Sequence, residues 1–364
     1  MQASVETEIA TAAALLLEWY DANARSLPWR SLPGAAPADP YRVWLSEVML
    51  QQTTVAAVGP YFAKFTQAWP TVTALAAAED GDVMAAWAGL GYYARARNLL
   101  ACARAVAALG GAFPQTEAAL RALPGVGDYT AAAVAAIAFD EPAVVVDANV
   151  ERVVSRLFAI SEPLPGARRA IRAATATITP GERPGDFAQA MMDLGSGICT
   201  VRAPRCLLCP LRPHCRAARE GDPAAYPVKP PKQAKPRRQG RAYWIERDGQ
   251  VWLVTRPGKG MLGGMRALPD DGWSARADGS GTPPLDGPWQ AAGTVAHGFT
   301  HFDLDLQLML FGGNDFATLP DNEPDKDQSG EWWPVESIGA AGLPTLFARA
   351  ARYATARPSE EADR

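Results

Sequence analysis

Residues 199–215 read CTVRAPRCLLCPLRPHC. Cys199, Cys206, Cys209 and Cys215 are spaced C-x6-C-x2-C-x5-C, and such a cluster can hold either tetrahedral zinc or an iron–sulfur cluster. Zinc is usually framed by two Cys-x-x-Cys knuckles. Only one is present here, and the wider spacing suits a larger, cubane-like cluster. Pro204, Pro210 and Pro213 stiffen the loops between the ligands. Arg202, Arg205, Arg212 and Arg216 surround them with positive charge, which suits a phosphate contact. The chain has five cysteines in all, and a cluster of four in a reducing compartment reads as a metal site sooner than as a disulfide framework. The fifth, Cys102, lies in an Ala-rich helical stretch and is expected in the core.

Working outward, residues 1–225 read as nearly all helix, with Ala, Leu, Val and Arg at helical spacing and breaks at Pro40, Pro60, Pro70, Gly110, Pro124, Pro142 and Pro180. Residues 226–241, YPVKPPKQAKPRRQGR, carry no apolar period and read as a basic, Pro-rich linker. After Arg241 the pattern turns to β. Ala242–Arg247 and Gln250–Arg256 flank Asp248-Gly249, a hairpin turn signal. Residues 302–310 alternate apolar with mostly polar, and a last helix is expected over 345–355. Residues 242–356 therefore form a second, α+β domain. The chain of 364 residues is long enough for two cores.

No apolar run is long enough to cross a bilayer. The apolar stretch 12–17 follows Glu6 and Glu8, not basic residues, so it is not a secretory signal; a cytoplasmic place, at the nucleoid of a bacterial cell, is expected. The net charge is −4, divided as −2 over residues 1–225, +6 over 226–241 and −8 beyond. Charge alone gives no support for a nucleic-acid partner. A DNA face would have to come from local arginines and backbone amides.

Three further stretches carry chemistry. Leu123-Pro124-Gly125-Val126-Gly127 separates two helical segments. Its glycines permit a tight turn, and the helix start after it presents N–H groups that can grip a phosphate; an ordinary helix–helix turn has the same look. Asp147 precedes the helical pattern 148–157 and is either a helix N-cap or an active carboxylate. Glu47 lies in a helical reading of 41–58, on one face with Trp44, Val48 and Gln51. A carboxyl there is partly desolvated, raising its pKa and suiting it to carry a proton. Cleavage of an N-glycosidic bond needs such a pair: one acid for the departing base, one carboxylate against the positive sugar.

Together these stretches resemble the MutY-type adenine DNA glycosylases, within the helix-hairpin-helix superfamily that also holds endonuclease III. The resemblance rests on Leu27-Pro28-Trp29-Arg30, WLSEVMLQQT at 44–53, GLGYYARARN at 89–98, LPGVG at 123–127, Asp147-Ala148-Asn149-Val150, QAMMDLG at 189–195, the four cysteines, and Phe299-Thr300-His301. It implies an all-α helix-hairpin-helix domain with a 4Fe–4S cluster on Cys199, Cys206, Cys209 and Cys215, and a Nudix-like C-terminal domain. It implies an enzyme that flips adenine out of double-stranded DNA, where it is mispaired with 8-oxoguanine or guanine, and hydrolyses its glycosidic bond, acting as a monomer. Glu47 would protonate the base, Asp147 would steady the sugar, and Tyr129 would assist. Arg30 would contact the flipped adenine. Gln51 and Tyr92 would lie on the 8-oxoguanine side, Tyr92 as a wedge, while Gly125, Val126 and Gly127 would hold the backbone. Phe299, Thr300 and His301 would reach the 8-oxoguanine.

Endonuclease III-like relatives carry a Lys nucleophile where this chain has Tyr129, which cannot form a Schiff base, so base removal without efficient strand cleavage is expected. The C-terminal domain lacks the closely spaced Glu and Arg of a pyrophosphate-cleaving Nudix box and should recognise, not hydrolyse. Three positions depart from the family pattern: Ala148 for Gly, Asp128 at a place often basic, and Leu262 for Trp. Alternatives are an oxidised-pyrimidine glycosylase with lyase activity, a non-catalytic iron–sulfur damage-binding protein and a nucleotide pyrophosphohydrolase.

Overall fold

In a computed structural model of the chain, residues 2–231, 234–257, 261–312 and 330–356 are described, with side chains from residue 11 onward. The chain divides into two compact units, Met1–Ala77 with Asn98–Lys232, and Ala78–Arg97 with Gln233–Arg364. The segment 78–97, which carries most of the GLGYYARARN stretch, thus groups with the C-terminal unit and not with the helical residues on either side of it. No helix among the described residues is long and apolar enough to cross a membrane.

The first unit is helical. It contains α1 (Gln2–Asn23), α2 (Pro40–Leu50), α3 (Val55–Ala68), α4 (Val72–Ala76), most of α6 (Ala94–Ala108), α7 (Glu117–Arg121), α8 (Asp128–Phe139), α9 (Ala148–Leu157), α10 (Arg168–Ile178), α11 (Pro184–Gly197) and α12 (Arg216–Glu220); α5 (Asp80–Trp87) belongs to the second unit. The expected helix over 41–58 is two helices. It stops at Leu50, Gln52 takes φ +58, and Thr54 caps α3 by accepting from the Ala57 N–H. Pro40 sits in the first turn of α2, where its missing N–H costs nothing. Pro60, expected as a break, lies inside α3. Pro60 and Ala56 both face solvent, so the carbonyl that loses its partner is hydrated.

Helix α8 is the hub of this unit. Its sequence, DYTAAAVAAIAF, buries seven consecutive residues from Thr130 to Ala136, and it packs against α2, α7 and α11. Small side chains let the backbones close up. A Cβ on Gly185 of α11 would stand 2.5 Å from the Ala136 carbonyl oxygen, and one on Gly195 would stand 2.6 Å from the Asn149 Cβ. The 123–127 turn joins α7 to α8 with Leu123 and Val126 buried beneath it. Gly125 adopts φ +71 there and passes so close to Asn98 that a Cβ would lie 2.5 Å from the Asn98 Cβ.

The second unit holds two sheets. One runs β1 (Arg237–Trp244), β6 (Asp303–Phe311), β5 (Trp289–Gly298), with β1 and β6 parallel and β5 and β6 antiparallel. The other runs β2 (Glu246–Arg247), β3 (Gln250–Thr255), β4 (Arg266–Ala267), with β7 (Gly330–Pro334) on β3. The 248–249 turn has φ of +51 and +70, as the Asp-Gly signal requires. Strand β1 begins inside the stretch that reads as a linker. Its backbone pairs with β6 from Arg237↔Asp303 onward, and Arg237 forms a 2.5 Å ion pair with Asp305. Composition signals the solvated side chains there but not the ladder. The alternation on β6 buries Leu304, Leu306 and Leu308, and α13 (Thr345–Thr355) covers them.

Gly185→Ala should lower stability by about 1–3 kcal/mol, the usual cost of forcing an extra group into a packed interface. Thermal unfolding measures it; an unchanged midpoint would mean that α8 and α11 do not touch at Gly185.

Candidate active site

One face of each of α2, α8, α9 and α11 opens on a cavity of about 990 Å³, bordered as well by Arg25, Trp29 and Arg30. That is at the upper end of the range of small-molecule sites, about 300–1,000 Å³. Glu47 lies in its wall, only 5% exposed. Tyr129, in the first turn of α8, donates its hydroxyl to Glu47 Oε2 at 2.5 Å. Burial drives the Glu47 carboxyl up from its ordinary value to about 7. The Tyr129 bond opposes the rise, the negative Asp147 adds to it, and Arg30 opposes it. Burial, with the neighbouring Glu47 and Asp147, also holds the Tyr129 phenol protonated, well above its usual range.

Asp147 is the helix N-cap of the first reading, and it stands at the cavity, where the second reading needs a carboxylate. It caps α9, with Oδ1 accepting the Asn149 N–H at 2.8 Å and the Val150 N–H at 2.7 Å. It also lines the cavity. The amide of Asn149 donates to its Oδ2 at 2.8 Å. Three donors at the positive end of a helix thus hold this carboxylate. Ala148 is the first residue of α9, with helical backbone that any residue adopts.

Arg30 reaches the cavity, but both of its short bonds, at 2.8 Å, go to the two oxygens of Asp193. Arg25 binds the same carboxylate through its backbone N–H and Nε. Gln51, the C-cap of α2, donates to Thr130 Oγ1 at 3.2 Å at the cavity edge. Gly125 and Gly127 line the cavity too. Gly127 caps α8 without a side chain, leaving the first N–H groups of that helix open to a ligand. Asp128 is 78% exposed and pairs with Arg121 at 2.7 Å, which tempers its charge at that helix start.

Tyr92, Phe299, Thr300 and His301 lie in the second unit. Tyr92 is half exposed with φ +49, and its hydroxyl is 3.2 Å from Thr300 Oγ1. Thr300 and His301 are exposed in the turn between β5 and β6. Phe299 is partly buried, stacked on Phe302 at 4.7 Å and 14°. Leu262 takes φ +57, an uncommon conformation for a residue with a side chain.

The four cysteines border one small cavity with Arg156 and Arg212. Among the described residues no three Cys, His, Asp or Glu groups converge tightly enough to hold a single metal ion. Arg156 is almost wholly buried, with Nη1 3.4 Å from Cys199 Sγ and 2.7 Å from the Thr200 carbonyl. Arg152 donates to the carbonyls of Cys199 and Gly195 at 2.7 and 2.6 Å and to Asn149 Oδ1 at 2.8 Å. A continuous set of hydrogen bonds therefore runs from the cysteine loop through Arg152 and Asn149 to Asp147.

Gln189, Asp193, Asn149 and Arg152 carry no role in the sequence reading. Gln189, Met192, Asp193 and Ser196 stand at i, i+3, i+4 and i+7 on α11, so the helical period of QAMMDLG was the available signal. Gln189 is 5% exposed, and its Oε1 has no hydrogen-bond partner.

Comparison with known proteins agrees with this geometry. Residues 45–176 match the HhH-GPD superfamily of base excision DNA repair proteins, and residues 241–353 match the NUDIX domain. The human adenine DNA glycosylase is 34% identical over 93% of this chain and 72% of its own length. The chain belongs to the adenine DNA glycosylase family. The Mycolicibacterium smegmatis member of the family is 41% identical over 57% of this chain and 70% of its own length. The Arabidopsis thaliana member is 40% identical over 70% of this chain; there the match spans 46% of the relative. The chain thus spans about half the length of that relative, as it does of the mouse one, at 44%. Among solved structures, a thermostable thymine-DNA glycosylase matches with TM-score 0.54 and 30% identity, over 60% of this chain and 99% of that one. A DNA complex of endonuclease III matches in fold, with TM-score 0.50 and 24% identity, over 59% of this chain and 97% of that one.

The Glu47 carboxyl should titrate near pH 7, and in Tyr129→Phe, which removes a bond favouring the ionised form, it should titrate higher. Its contribution to stability is full below the ordinary value of 4.5 and is lost as the pH rises through about 7. Infrared difference spectra, with Glu47→Gln to assign the band, report the titration; a band in the ordinary carboxylate range would contradict the burial.

Proposed function

We propose that this protein removes adenine from double-stranded DNA, where it is mispaired with 8-oxoguanine or guanine, by hydrolysing the N-glycosidic bond. The observation that carries the proposal is the buried Glu47–Tyr129 pair facing one cavity with Asp147. A carboxyl with a pKa of about 7 holds a proton at neutral pH and can still release it. In this reading Glu47 gives that proton to the flipped adenine, making it a neutral leaving group. The bond to the sugar breaks, and positive charge builds there. Asp147, fixed by its three donors, meets that charge with little reorganisation. Water then adds to the sugar on the opened face, and Glu47 takes back a proton. Tyr129 holds the Glu47 proton in register and offers no amine for a Schiff base, so the strand is left intact at this step.

Gln189 suits adenine because an amide offers both a donor and an acceptor, matching a purine edge with an amino group beside a ring nitrogen. The free Oε1 would take the amino N–H. Arg30 and Arg25 stay clamped by Asp193 and give the cavity a positive rim. The N-terminus of α8 would hold a backbone phosphate. In the second unit Tyr92 would wedge the stack, Thr300 and His301 would meet the 8-oxoguanine, and Phe299 would anchor their turn to the core. The cysteines suit a 4Fe–4S cluster, since all four border one common space. Once bound, such a cluster would cross-link the loop and fix its arginines. The expected workplace is the cytoplasm, on DNA.

On a duplex with adenine opposite 8-oxoguanine, Asp147→Asn should lower the single-turnover rate of base release at least about 10²-fold, as removal of a transition-state contact does, while binding of the duplex persists. In the wild type the same rate should fall about tenfold per pH unit above about 7, as Glu47 loses its proton. Near-normal turnover by Asp147→Asn would sink the assignment.

The purified protein should be brown and contain iron, and Cys206→Ser should lose it. Metal analysis giving one zinc and no iron would contradict the cluster.

A further inference from the structure

Beside the base cavity, at the end of α8 remote from the 123–127 turn, lies a second one, of about 270 Å³, which holds on the order of nine waters at about 30 Å³ each. The loop 31–38, the end of α8 and the first turns of α11 surround it. The two cavities share two lining residues, Ile137 and Gln189. The wall between them is therefore one layer of side chains.

Resting on the reading above, we infer that this second cavity is a rear exit through which the freed purine base leaves, with Gln189 as its gate. The need arises from the order of events. In that reading DNA would lie over the cavity mouth beside the 123–127 turn, so a base cut from its sugar would be enclosed between the abasic strand and the cavity wall. Gln189 is the weakest part of that wall. Its Oε1 has no partner, and its Nε2 has only a 3.4 Å contact to the Gly185 carbonyl. Such a contact is too long to cost much when broken. The side chain turns between staggered rotamers without disturbing the backbone of α11.

The far chamber suits a neutral purine. Gly34, Ala35, Ala36 and Ala38 give it small walls. Arg183, the one cation among the described residues that line it, is already bound to Asp186 at 2.8 Å and to Asp21, so no anion is called for. The Asp140 carboxylate at the same chamber can accept a purine N–H.

The experiment uses full-length protein bound to a duplex carrying a stable abasic-site analogue opposite 8-oxoguanine, with 2-aminopurine as the fluorescent probe. The probe should enter and leave the wild-type complex while the duplex stays bound. Ala36→Trp and Ala38→Trp, which narrow the rear chamber away from Glu47 and Asp147, should each slow that exchange at least about tenfold, or about 1.4 kcal/mol in barrier. Their single-turnover cleavage should stay within about twofold of wild type. Equal exchange in the variants, or exclusion of the probe from the wild-type complex, would overturn the rear exit. A second measurement needs only the wild type: after one turnover, labelled adenine should pass a filter that retains the protein–DNA complex. If adenine and DNA leave together, the exit is wrong. Failure of the wild type to cut adenine from any duplex would instead overturn the reading of function, and the probe exchange, which involves no turnover, still reports on the chamber.

Discussion

Glu47 is an acid enclosed by protein, and much of the helical unit can be understood as what keeps it there. Ionised carboxylates are costly to bury. Here the cost takes the form of a pKa near 7, moderated by the Tyr129 hydroxyl and by Arg30. The enclosure depends on how closely α8 packs against α2 and α11, and the approach to α11 depends on Gly185, where a Cβ would meet the Ala136 carbonyl oxygen. A core of larger residues would part the helices and let water reach the carboxyl, whose pKa would then fall back toward the ordinary range.

The second carboxylate shows the opposite arrangement. Asp147 stands at a helix start, and its oxygens are met by two backbone N–H groups and one amide. One cavity therefore sets an acid held by burial beside a carboxylate held by donors. Environments that pull two such groups apart allow one to give a proton while the other carries charge. The same donors tie Asp147, through Asn149 and Arg152, to the loop of the four cysteines. Whatever fixes that loop therefore bears on where Asp147 points.

Much of this was legible in the order of residues. The four-cysteine spacing, the L-P-G-V-G turn, the alternation of β6 and the Asp-Gly hairpin are local signals. Each reflects backbone geometry or ligand reach over a few residues, and such constraints act before any tertiary contact forms. Glu47 could be picked out because Trp44 and Val48 share its helix face, which already implies desolvation. Other features were misread for equally local reasons. Pro60 looks like a helix end, but a proline on a solvated face leaves only a hydrated carbonyl. The basic stretch before Ala242 looks like a tether, but β1 is built from backbone bonds to β6, more than sixty residues away.

What the sequence by itself determined is the inventory: two acids, a phenol, four thiols and a glycine turn that precedes a helix start. It also showed the change from helical to alternating period, which needs no partner to be seen, but not that residues 78–97 group with the C-terminal unit. The tertiary structure alone decided which groups meet. Arg30 carries its charge to the cavity yet spends its hydrogen bonds on Asp193, 163 positions along the chain. Gln189 is left with an unpaired oxygen in a wall between two cavities, and Phe299 turns into the core while Thr300 stays outside. These are outcomes of packing between segments distant in sequence. Nothing local to any of those residues encodes which neighbour will arrive, and so the chemistry of the site, unlike its list of parts, belongs to the fold.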